Sequence, residues 1–98
     1  MEVRIISRPH PDDDLGFVIS KQTSSEEAIK LAVARKIKLR NKHVTLDLVF
    51  EVNLSQDKKT LIAEVATQTM SDRNGPLHIK SYKRLLMLLF KGHGWTPM

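Results

Sequence analysis

The chain contains no cysteine. That removes disulfides, thiolate catalysis and cysteine-type zinc sites, and it fits a reducing compartment. Long apolar runs are also missing. The longest, Leu85 to Phe90, falls far short of the roughly 20 residues that span a bilayer. The leading residues MEVRIISRPHPDDD lack a basic stretch followed by an apolar one, so no signal peptide is expected. These absences point to a cytoplasmic protein with no membrane partner. Aromatic residues make up only 5% of the chain, too few to supply both a core and a base-stacking surface.

What is present is ordinary for a globular domain. Hydrophobic residues are 41% and charged residues 28% of 98, enough for one small core and against disorder. One domain over 1–98 is expected, with 91–98 as a short tail. The net charge is +5, and its distribution matters more than its sum. Two acid-free segments hold most of the basic residues. The first carries Lys30, Arg35, Lys36, Lys38, Arg40 and Lys42; the second carries Arg73, Lys80, Lys83, Arg84 and Lys91.

Hydrophobic periodicity gives the elements. Val3 to Ile6 reads as a β-branched first strand, and Gly16 to Ser20 as an optional second. Thr23 and Ser24 each have a glutamate three residues on, the capping-box spacing that opens a helix. Ile29, Val33 and Ile37 form one stripe at i, i+4 and i+8, which predicts a helix ending between Arg35 and Asn41 with that stripe inward. Val44 to Leu54 alternates apolar and polar residues almost without fault, the pattern of a strand with one buried face. SQDKK at 55–59 is a hairpin link, and Leu61 to Met70 is its partner strand, with Leu61, Ala63 and Val65 inward and Ile62, Glu64, Ala66 and Gln68 outward. SDRNG at 71–75 is a turn. Pro76 suits the start of a last helix, whose inward stripe is Ile79, Tyr82, Leu86, Leu89 and Phe90, with Gly92 as a left-handed cap.

The predicted fold is α+β: a small two-layer domain of order β(β)αββα. Its antiparallel sheet has three strands, or four with the optional one, and both helices lie on one face. Both helices would then show basic outer surfaces, and the open sheet face would carry Asp47, Glu51 and Glu64.

One short motif stands out. Arg8-Pro9-His10-Pro11-Asp12-Asp13-Asp14-Leu15-Gly16 follows a hydrophobic strand and resembles the zinc motif of the N-acetylglucosaminyl deacetylase family, His-Pro-Asp-Asp-Glu followed by glycine. The resemblance implies a metal-dependent hydrolase on a larger Rossmann-like fold, with His10 and Asp13 as zinc ligands and Asp12 as general base. It covers nine residues of 98. Asp14 stands where the family has glutamate, the glycine comes one residue early, and no further histidine-rich motif follows. Proline and aspartate set turns, so the segment is read as a surface loop and no metal site is assigned.

No catalytic group, cofactor or metal is assigned elsewhere. A nuclease-like grouping of Asp47, Glu51 and Glu64 lacks an accompanying lysine. The leading expectation is a non-enzymatic accessory or regulatory protein that binds a macromolecular partner, as a component of nucleic-acid machinery of the phage or mobile-element kind. The expected contact residues are Lys30, Arg35, Lys38, Lys80, Lys83, Arg84, Met87 and Leu88. Exposed Met87 and Leu88 beside basic groups suit a protein contact or a homodimer seam along the last helix. Direct nucleic-acid binding through basic helix faces is the alternative. Trp95 is read as folding back to close the edge of the core.

Overall fold

The structure, a computed structural model, describes residues 1–8, 16–72, 75–76 and 83–98, with the side chains at 72, 75, 76 and 83 excepted. Strand β1 (Glu2–Ser7) pairs antiparallel with β2 (Phe17–Gln22), from Glu2 opposite Gln22 to Ser7 opposite Phe17. Val3, Ile5, Phe17 and Ile19 turn inward and are buried. The loop between them falls mostly outside the described residues, and the His10–Asp14 motif with it.

Helix α1 (Ser25–Ala34) opens as its sequence signal requires. The Ser24 hydroxyl accepts the Glu27 amide at 3.2 Å, and Glu26 and Glu27 occupy the first turn, where the helix dipole favours them. It ends earlier than the apolar stripe predicts. Arg35 takes a left-handed conformation (φ 50°), donates its amide to the Leu31 carbonyl and stops the helix. Residues Lys36–Arg40 then form strand β3, not a further helical turn. The reason is a second periodicity inside KIKLR. Ile37 and Leu39 alternate with Lys36, Lys38 and Arg40, so an extended chain buries both apolar residues and leaves all three cations in water. The inward stripe of α1 is displaced accordingly. Ala28 is buried, Leu31 and Ala32 are half-buried, and Ile29 and Val33 are 63% and 78% exposed.

β3 turns tightly into β4 (Val44–Leu54), with Ile37 opposite Leu48 and Leu39 opposite Leu46. The Asn41 side-chain oxygen pins that turn by accepting the amides of His43 (2.8 Å) and Val44 (2.6 Å). Val44, Leu46, Leu48 and Phe50 are buried as the alternation predicts. β5 (Thr60–Asp72) returns antiparallel through the expected hairpin link. A bulge interrupts this pair: Val49 faces Thr67 but Phe50 faces Val65, so Ala66 is an extra residue. One extra residue inverts the inside–outside phase. Leu61 and Ala63 are inward before the bulge and Met70 after it. Gln68, expected outward, lies opposite Leu48, half-buried, with a buried Oε1 that has no hydrogen-bond partner.

Gly75–Pro76 forms a two-residue strand β6 on Ser71–Asp72, so Pro76 does not begin the last helix. α2 (Lys83–Gly92) buries Leu86, Leu89 and Phe90. Ile79 and Tyr82 lie outside the described residues. Gly92 is still helical; the left-handed residue is Gly94 (φ 84°). The expected tail belongs to the fold. Trp95 is 4% exposed and meets Phe90 edge-on at 6.2 Å, while Phe90 lies 5.1 Å from Phe17. Thr96–Pro97 adds a short strand β7 against β2.

The strand order is β3-β4-β5-β1-β2-β7, with β1 and β5 parallel and the other pairs antiparallel. The domain is α+β, but its sheet is larger than three or four strands and is mixed. β1 aligns beside β5, and residues 36–40 and 96–97 add strands that helix and tail expectations hide. The sheet curls. His93, just past α2, reaches β3 through Arg40 while its carbonyl accepts Lys21 Nζ of β2 at 3.1 Å. No helix among the described residues is long and apolar enough to cross a membrane.

Candidate partner-binding surfaces

Among the described residues two surfaces stand out, one on β3 and one beside α1. The first is the outer side of β3. Burial of Ile37 and Leu39 forces Lys36, Lys38 and Arg40 onto one exposed row, and Lys42 follows in the exposed turn. β3 ends the strand order, so this row runs along a sheet edge. The row is pinned at its C-terminal end. Asn41 fixes the turn, and His93 Nε2 lies 2.8 Å from the Arg40 carbonyl oxygen and 3.3 Å from its amide nitrogen, closing the outward-facing backbone there. Asp47, beside Lys38 in register, has a buried Oδ1 without a hydrogen bond, and Lys38 Nζ is 4.0 Å away. That ion pair is partly exposed and weak.

The expected negative sheet face is therefore mixed. Asp47, Glu51 and Glu64 do share it, and Glu51 sits opposite Glu64, but the basic row of β3 lies on the same side. Arg8 approaches Glu64 at 3.6 Å. Among the described residues no group of three or more acidic or histidine side chains is placed to hold a metal ion.

The second surface is an apolar groove of about 770 Å³ between α1 and the end of the β4–β5 hairpin. Ile29, Val33, Val52, Leu54 and Leu61 line it, and Arg35 is the charged side chain among its described lining residues. Leu54 is 49% exposed, so three large apolar side chains are in water within one groove. Clustered exposure of this kind marks interaction surfaces.

The expected contact residues that are described lie apart. Lys30 is exposed on α1 and pairs with Glu26 at 3.9 Å. Arg35 lies at the groove, and Lys38 on the sheet edge. Lys80 and the Lys83 side chain fall outside the described residues. Arg84 and Leu88 are exposed on α2, one turn apart, but Met87 packs against the core instead of joining them. Of the two apolar residues expected in a seam along α2, Leu88 is exposed. Lys36 and Arg40 escape a helical reading of 29–37; the alternation in KIKLR is the signal that finds them.

No family model matches the chain, and it has no significant match among curated proteins or solved structures.

Proposed function

We propose that this chain is a non-enzymatic accessory protein of nucleic-acid machinery, and that it docks an acidic surface of a protein partner through β3. The observation that carries this reading is the row Lys36, Lys38 and Arg40, exposed on one side of an edge strand whose C-terminal end is pinned. A fixed row of cations steers an acidic partner and sets its register. Direct nucleic-acid binding is the weaker reading. The aromatic rings described, Phe17, Phe50, Phe90 and Trp95, are all buried, so none of them is offered to a base.

The test compares wild type with Lys36→Glu/Lys38→Glu/Arg40→Glu in affinity capture from the native host, with and without nuclease. A partner that survives nuclease and disappears with the triple change supports docking through β3. Capture that nuclease abolishes supports the nucleic-acid reading. Capture unaffected by the triple change removes β3 as the contact. All three side chains are exposed, so the variant keeps its fold, which circular dichroism checks.

A further inference from the structure

The groove beside α1 has features that specify its occupant. Ile29 and Val33 stand one helical turn apart and are the two most exposed large apolar residues described. Acidic residues fall only at the start of α1, Glu26 on the side of Ile29 and Val33; positive charge follows its end, with Arg35 lining the groove. We propose that a second copy of this chain covers the groove, with the two α1 helices packed antiparallel about a twofold axis.

Charge and length select that arrangement. With Ile29 of one protomer opposite Val33 of its partner, Glu26 lies about 4.5 Å beyond Ile29 along the axis, and the facing Arg35 about 3 Å beyond Val33. The two charges therefore meet to within about 1.5 Å along the seam, and symmetry repeats the pair at its other end. Parallel packing would set Glu26 against Glu26 and Arg35 against Arg35. Antiparallel packing also aligns the helix dipoles favourably. The Lys30 that holds Glu26 in the free chain is a solvent-exposed partner at 3.9 Å and yields easily. Leu54 and Val52, at the rim, are then shielded from water by the same contact.

This dimer is independent of the β3 docking surface, and its test reads mass only. Sedimentation equilibrium of the full chain is run for wild type, Val33→Asp, Leu88→Asp, Glu26→Arg, Arg35→Glu and the double Glu26→Arg/Arg35→Glu. Wild type is expected to be a dimer, and Val33→Asp a folded monomer by circular dichroism. Each single charge reversal weakens association roughly tenfold or more, since symmetry repeats the clash at both ends, and the double variant restores it. A wild type that is monomeric at the highest concentration that stays in solution overturns the proposal. So does a dimer that survives Val33→Asp, one that only Leu88→Asp breaks, or charge reversals without rescue in the double variant.

Discussion

Ile29, Val33 and Ile37 are evenly spaced and similar in size, yet truncating them to alanine should have very unequal consequences. Burying a whole aliphatic side chain contributes about 1.5–3 kcal/mol. Ile29 keeps 63% of its surface in water and Val33 keeps 78%. The stake is therefore about 0.5–1 kcal/mol at Ile29 and about 0.3–0.7 kcal/mol at Val33. Alanine is also the better helix former by about 0.4–0.6 kcal/mol, so both substitutions come out near neutral in the monomer. Ile37 is 7% exposed and sits inward on β3, opposite Leu48. Its removal leaves a cavity and costs about 2–5 kcal/mol. Urea unfolding followed by fluorescence of Trp95, the single tryptophan, measures all three. It is run at a concentration low enough to keep the chain monomeric. Equal losses of more than about 2 kcal/mol at all three positions would mean one continuous helix with an inward stripe, and would refute the break at Arg35.

Three further outcomes follow from the same structure. Trp95→Ala should cost about 3–5 kcal/mol, because a buried ring that packs on Phe90 is lost; far-UV circular dichroism in urea measures it, and a loss within experimental error would show a dispensable tail. Lys58 holds a left-handed conformation (φ 58°) in the β4–β5 turn, so Lys58→Gly should raise stability by about 0.5–1 kcal/mol, the relief of Cβ strain less the extra chain entropy of glycine. The Asp57 carboxyl is held below its ordinary value of 3.8, first by the Ser55 hydroxyl and then by the Lys59 amide. A depressed value stabilises the fold above the unfolded pKa, and the gain disappears as pH falls through the folded one. The stability gap between wild type and Asp57→Asn should therefore be steady near neutrality and close in acid; a gap that widens in acid contradicts the turn geometry.

The parts of this fold that local chemistry dictates can be read from residues alone. Eleven residues of alternation define β4, and the spacing of Ser24 to Glu27 defines the start of α1, because each pattern has one structural solution. Residues 29–40 support two. Ile29, Val33 and Ile37 fit a period of four, and KIKLR fits a period of two, so the choice rests on what lies beside Ile37 and Leu39. That neighbour is β4, brought back by a turn at Asn41 whose side-chain bonds leave no periodic trace. The bulge at Ala66 hides for the same reason: an inserted residue reverses the facing of Gln68 without altering composition. β7 consists of Thr96 and Pro97, too short to show a period. The binding surfaces follow suit. Both basic segments were visible as charge, but the row on β3 and the groove at Ile29 and Val33 exist only once the helix is known to stop at Arg35.

The parallel ladder between β1 and β5 has a kinetic consequence. Its partners, from Glu2 with Thr60 to Ile6 with Glu64, are each 58 positions apart in the chain. The β1–β2 ladder and the β3–β4–β5 meander close through nearby links and can assemble separately, whereas this seam must wait for two distant pieces to collide. Amide hydrogen exchange should accordingly find the meander's inner amides outlasting those between Val3–Ile5 and Leu61–Ala63. In a refolding experiment, that collision is expected to be the slowest step.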